Sequence, residues 1–147
     1  MVIIKPPIIT NINTIPLALG EWSLFLDDQR LPPGNPIEWR CDIARSYQEA
    51  IGLVKIKGKA PVFVSFDHDL ADEHYDPKTW NDPDAYKEKT GYDFAMWLIN
   101  EDLDAMGKFL PKDFSYVVHS MNPIGSKNID GLMSSYLRTR SKFDFEG

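Results

Sequence analysis

The sequence predicts an α/β domain built on a parallel sheet. Short apolar runs rich in β-branched and aromatic residues alternate with stretches of helical periodicity, and three of these runs end in polar residues. A chain of 147 residues suits one such domain with one core.

Four runs read as strands. The first is Trp22 to Leu26, stopping at Asp27-Asp28. The second and weakest is Ile37 to Ala44. The third is Pro61 to Phe66, stopping at Asp67-His68-Asp69, and the fourth is Phe114 to Val118, stopping at His119-Ser120. Ser46 is placed to cap a helix with Glu49 at the capping-box position, carrying Ala50, Ile51, Leu53, Val54 and Ile56 and ending at Gly58. A second helix starts near Thr90-Gly91 and carries Phe94, Trp97, Leu98 and Leu103. A third follows Pro123 and carries Ile129, Leu132, Met133 and Tyr136.

Two stretches break the alternation. Arg30 to Pro36 holds three prolines and a glycine, so the first crossover helix is expected to be short or missing. Residues 70–89 form a polar insert containing His74 and Trp80, long enough for a functional or mobile loop. Residues 1–21 read as an extended N-terminal arm, because Pro6 and Pro7 interrupt their apolar run, and residues 22–147 read as the domain.

Composition excludes some classes. A net charge of -6 argues against generic duplex DNA binding, which needs a basic surface to displace counterions. Local Arg or Lys residues still suffice for a short strand or a terminal phosphate. The single Cys41 supports neither an internal disulfide nor a Cys-rich zinc site. No apolar run approaches the roughly 18 residues of a membrane span, and no cleavage site follows the N-terminus, so a cytoplasmic location is expected. Oligomeric state is not legible.

The chemistry gathers at strand ends. Open parallel sheets bind ligands beyond the carboxyl ends of their strands, near the point where strand order reverses. If the order is 2-1-3-4, the first and third strands are neighbours there, and Asp27, Asp28, Asp67 and Asp69 crowd one edge. Carboxylates so placed repel one another unless a cation compensates, and their oxygens suit a hard divalent ion such as Mg or Mn. For any one Asp, capping of a turn or helix is the simpler reading. His68 and His119 are candidate general acids or bases. Ser120 and Asn122 offer hydrogen bonds to phosphate. Thr90-Gly91 and the Asn122-Pro123 segment both resemble helix entries, where free N–H groups meet anions. Arg30 either clamps a phosphate or pairs with Asp28. Trp97 reads as core, and Trp80 as a loop anchor.

Leu26-Asp27-Asp28-Gln29-Arg30, Ser65-Phe66-Asp67-His68-Asp69-Leu70, Thr90-Gly91-Tyr92-Asp93 and His119-Ser120-Met121-Asn122-Pro123-Ile124-Gly125 together resemble the cyclic-phosphate-processing receiver-like family, a divergent branch of the two-component receiver fold. The resemblance covers about residues 22–140. It implies a receiver- or flavodoxin-like three-layer parallel sheet of order 2-1-3-4. It also implies a site of acids after the first and third strands, joined by the His, Ser and Asn after the fourth. The implied activity is the opening or trimming of cyclic phosphates at nucleotide or RNA ends, in bacteria and their phages. Ordinary receivers carry a lysine after a fifth strand; no fifth strand is evident here, and Lys127 is only a stand-in. Phosphoryl-acceptor signalling, which would label Asp67, is therefore not the first reading. Val62 to Asp69 is also similar to the first motif of haloacid-dehalogenase-like phosphatases, with Asp67 as nucleophile and Asp69 as acid or base, but Leu70-Ala71 departs from it.

The expectation from sequence is thus a metal-dependent phosphoesterase acting on a nucleotide or RNA terminus that carries a phosphate. Asp27, Asp28 and Asp67 would hold the metal. Asp67, His68, Asp69 and His119 form the catalytic set, and Arg30, Thr90, Ser120 and Asn122 would bind phosphate. The alternative is a non-catalytic module that binds a nucleotide, metal or protein partner.

Overall fold

The computed structural model describes residues 12, 16–33, 40–70 and 89–143. Most of the expected arm, the Ile37–Trp39 part of the second strand, and the insert with His74 and Trp80 lie outside these residues. Four parallel strands, β1 (Ser23–Leu26), β2 (Asp42–Ala44), β3 (Phe63–Phe66) and β4 (Ser115–Val118), form one sheet in the order β2-β1-β3-β4. Three helices accompany them: α1 (Tyr47–Lys57), α2 (Gly91–Asp104) and α3 (Pro123–Phe143).

Strand alternation divides the side chains between two faces. Leu24, Leu26, Val64 and Phe66 join the main core with Ala50 and Val54 of α1, Phe94 and Leu98 of α2, and Ile129 and Met133 of α3. Full burial of a Leu or Phe stabilises by about 1.5–3 kcal/mol, so this cluster dominates the favourable side of folding. Phe25 and Phe63 point the other way, into a smaller cluster with Ile12 and Val62.

The asymmetry follows from handedness. Parallel crossovers are right-handed, so connections running the same way along the sheet put their helices on the same face. The β2-to-β3 and β3-to-β4 connections run one way and carry α1 and α2; α3 packs beside α2. The β1-to-β2 connection runs the other way and would cover the opposite face. Its described residues contain no helix, in line with Pro32 and Pro33. Among the described residues the expected third layer is therefore not helical. Ile12 packs on that face, with Leu17 beside it.

Helix ends follow local chemistry. The Ser46 hydroxyl accepts from the Glu49 amide, and Gly58 closes α1 with φ 74, a left-handed conformation that favours glycine. The Glu49 carboxylate accepts from the Arg45 amide instead of the Ser46 amide, so the expected capping box closes one residue early. Thr90 and Asp93 make a complete capping box on α2. Leu103 was expected on the buried face of α2 but is 48% exposed; the inward position beside it belongs to Asp102. That buried carboxylate accepts from the Phe109 and Leu110 amides, the Tyr136 hydroxyl and Arg140, tying α2 to α3.

Candidate functional site

Leu26, Phe66 and Val118 are paired across β1, β3 and β4. The next residue of each strand extends the ladder: the Asp67 amide donates to the Leu26 carbonyl and the His119 amide to the Phe66 carbonyl. Asp27, Asp67 and His119 therefore stand in register and, by alternation, share the face of Phe25 and Ser65. One ligand atom from each lies within 4.8 Å of the others. The row sits where crossovers leave in opposite directions, the switch point of an open parallel sheet.

Asp27 is fully buried but well satisfied. Its Oδ1 accepts from the amides of Gln29 (2.9 Å) and Arg30 (2.8 Å), and its Oδ2 from His119 Nε2 (2.9 Å). Burial pushes its pKa up, but the His119 bond, the two amides and the charge of His119 overrule this and hold it at about 2.

Asp67 has the opposite environment. It is fully buried, and neither carboxylate oxygen has a hydrogen-bond partner. Burial, and then the Asp27 charge, push its pKa up to about 6. His119, Ser120 and Arg30 pull the other way, Ser120 by proximity and not through a hydrogen bond of good geometry. Gly91 permits the close approach of α2 here, because a Cβ at that position would lie 1.9 Å from the Asp67 carbonyl oxygen.

His119 spans the middle strand. It stacks on Phe25 of β1 with centroids 4.7 Å apart, and its Nδ1 lies 2.7 Å from the Ser65 hydroxyl of β3. Both ring nitrogens are thus engaged, Nε2 with Asp27 and Nδ1 with Ser65. Arg30 follows its main chain around Asp27. Its Nη1 donates to the His119 carbonyl (3.0 Å) and its Nε is 3.6 Å from Asp27 Oδ2, while the side chain stays 41% exposed. It thus pairs with Asp27. Arg45 braces this turn from behind, donating to the carbonyls of Asp27 and Arg30.

Several expected site residues have other surroundings. Asp28 is half-buried and outside the group of three, because alternation gives the inward position to Asp27. His68 points to the helical side: Nδ1 donates to Asp69 Oδ1 (2.8 Å), and its ring lies under Gly125, where a Cβ would be 2.3 Å from it. Asp69 also accepts from Asn122 Nδ2 (3.1 Å). Asn122, 1% exposed, caps α3 by accepting the Gly125 amide at Oδ1, with Pro123 at the first helical position. Thr90 is buried, with amide and hydroxyl both bonded to Asp93. Ser120 is half-buried and accepts from the Asn122 amide. Lys127 is exposed on α3. Thr90 and Asn122 are as buried as Asp27 and Asp67, and their side chains are engaged by Asp93 and by Asp69 and Gly125. His68, Asp69 and Asn122 form a network that seats α3 on the sheet. Sequence reasoning missed Phe25 and Ser65, which read as ordinary strand residues, and Arg45, whose only signal is its place after the second strand.

The row fits a divalent cation. Two carboxylates are suitable donors, and the unpartnered oxygens of Asp67 are what a cation would satisfy.

The fold and the acidic strand ends define a receiver-type domain. The model of the cyclic-phosphate processing receiver domains matches residues 22–135, and the chain belongs to that family. No curated protein and no solved structure matches it. None of the described helices is long and apolar enough to cross a membrane.

Proposed function

We propose that this domain is a metal-dependent phosphoesterase that opens cyclic phosphates of nucleotides or RNA ends. The observation that carries this reading is Asp67, a buried carboxylate without a hydrogen-bond partner in register with Asp27 and His119. Family membership supports the same chemistry.

Asp27 and Asp67 would hold the cation, Mg or Mn, which supplies Lewis acidity toward a phosphoryl group when bound. The exposed edge of Arg30 orients phosphate oxygens from the rim. His119, held between Asp27 and Ser65, moves the proton. Water adds to phosphorus, one ring P–O bond breaks, and the departing ribose oxygen gains a proton, leaving a monophosphate ester. Asp27 orients the His119 ring by accepting at Nε2.

A chromatographic assay of 2′,3′-cyclic nucleotide opening tests this. Product should form with Mg or Mn and fall by at least about a hundredfold in His119→Ala. Full activity in Asp67→Asn would remove the reading. The second reading, a nucleotide-binding module without turnover, draws on the complete burial of Asp67 beneath its neighbours. Stoichiometric binding with no product would favour it.

A further inference from the structure

A cavity of about 440 Å³ opens on the sheet face that lacks a helix among the described residues, directly beside the row. Val117, Leu31 and Pro33 wall it, and Phe25 and Phe63 lie at its base with only 5% and 0% of their surface exposed. Its polar end is made by Arg30 and His119, the same two side chains that rim the carboxylates. The cavity is a consequence of topology. The β1-to-β2 crossover is the connection that would lay a helix on this face, and its described part is a proline-containing loop.

We infer that this cavity receives the nucleobase of the substrate, with the cyclic phosphate at the Arg30–His119 end; the inference rests on the phosphoesterase reading and narrows its substrate to nucleoside phosphates. Three observations point the same way. The volume falls in the range of small-ligand sites, about 300–1,000 Å³. The lining is polar at one end and apolar at the other, which matches a ligand with a charged end and a flat, weakly polar end. A sugar or an acyclic polyol phosphate would need hydrogen-bond partners along the whole cavity. Finally, the cavity is continuous with the site, since His119 belongs both to its lining and to the row of carboxylates.

Base identity is read weakly here. The Ser65 hydroxyl on the lining is already bonded to His119 Nδ1, and the side chains beyond it are hydrocarbon. Contact with aliphatic surface carries no hydrogen-bond pattern and so tolerates any base. Purine and pyrimidine nucleotides should therefore bind within a few-fold of each other, with purines favoured by area.

The test is a methyl-resolved NMR titration of the full chain. Adenosine 2′-monophosphate is compared with glycerol phosphate, which has the same phosphoryl group and no base. The nucleotide should shift the methyl resonances of Leu31 and Val117 and bind at least about tenfold more tightly, the scale expected for burying one flat apolar face. In Val117→Phe, which fills the cavity, that affinity ratio should fall toward one. Equal affinities in the unaltered protein, or silent Leu31 and Val117 methyls at nucleotide saturation, would overturn the inference without reference to any variant. The two readings fail separately. Nucleotide binding with this methyl map but no product in the chromatographic assay would sink the phosphoesterase and leave the base pocket standing. Product with silent methyls would do the reverse.

Discussion

The imidazole of His119, which follows β4, reaches over β3 to place its Nε2 2.9 Å from the Oδ2 of Asp27, which follows β1. This bond joins two strands that are not neighbours, and Asp67 lies in the row between them. The ring is held on three sides, by Phe25, Ser65 and Asp27, so its position does not depend on ligand. His119→Ala should abolish turnover while leaving the main core, which lies on the other face, intact. Far-UV circular dichroism and a steady-state assay on the same preparation check both halves.

Asp67 makes stability fall as pH rises. An acid whose folded pKa lies above its unfolded value favours the native state when protonated. Its contribution is full below about 3.8 and lost as pH rises through about 6. Asp27 has the opposite sign: its contribution is present above 3.8 and lost as pH falls through about 2. Above pH 6 the ionised Asp67 costs ~3 kcal/mol by the same linkage. Asp67→Asn should remove that slope between pH 4 and 6 and melt higher than the unaltered protein at pH 7.5. A melting series across that range, without divalent ions, would show a parallel slope in both proteins if the burial argument is wrong.

A divalent ion should reverse this penalty. At about a hundredfold excess over its Kd, Mn or Mg stabilises by about 2.7 kcal/mol through mass action, a rise of roughly 5 to 10 °C for a domain of this size. The rise should be larger at pH 7.5 than at pH 5, because the proton competes for Asp67. It should vanish in Asp67→Asn and shrink in Asp27→Asn. Scanning calorimetry with and without chelator measures each case.

The close packing at the base of the site predicts a backbone effect. In Gly91→Ala the new methyl would meet the Asp67 carbonyl, a backbone atom that cannot swing aside. Either α2 or the end of β3 must shift, at a cost of about 1–3 kcal/mol or more. Gly52→Ala is the control, since its Cβ meets nothing within 4 Å and the helix gains propensity. Urea denaturation of the two variants should move in opposite directions.

Asn122 separates a structural role from a phosphate-binding one. Asn122→Ala loses the cap of α3 and one donor to the buried Asp69 carboxylate. The expected loss is about 1–3 kcal/mol of stability. The KM of the folded fraction should stay within about threefold, whereas a phosphate ligand would raise it much further. Denaturant unfolding and steady-state kinetics decide between the two.

Much of this was legible in the sequence. The strand runs, the Ser46 and Gly58 ends of α1 and the Thr90 start of α2 follow from local chemistry, and the strand order was implied by the family resemblance. So was the convergence of polar residues at the ends of β1, β3 and β4. What was not legible is which residue of each polar cluster faces the site. Asp27 and Asp28, or Asp67, His68 and Asp69, look equivalent until the register Leu26–Phe66–Val118 sets the parity. That parity sends Asp67 to the row and His68 to the helices. The partners of His119 were hidden for the same reason: Phe25 and Ser65 are distant in sequence and join it only through the pleat. The Asp102 network escaped because a lone acid in a helix ordinarily reads as solvated.

The most direct measurement is a phosphorus NMR time course with a 2′,3′-cyclic nucleotide, Mn or Mg, and Asp67→Asn beside the unaltered protein. The account predicts that the cyclic-phosphate resonance is replaced by that of a single monophosphate ester, and that the replacement fails in Asp67→Asn and without the metal. A cyclic resonance that persists unchanged in the unaltered protein, or equal conversion by Asp67→Asn, would contradict it.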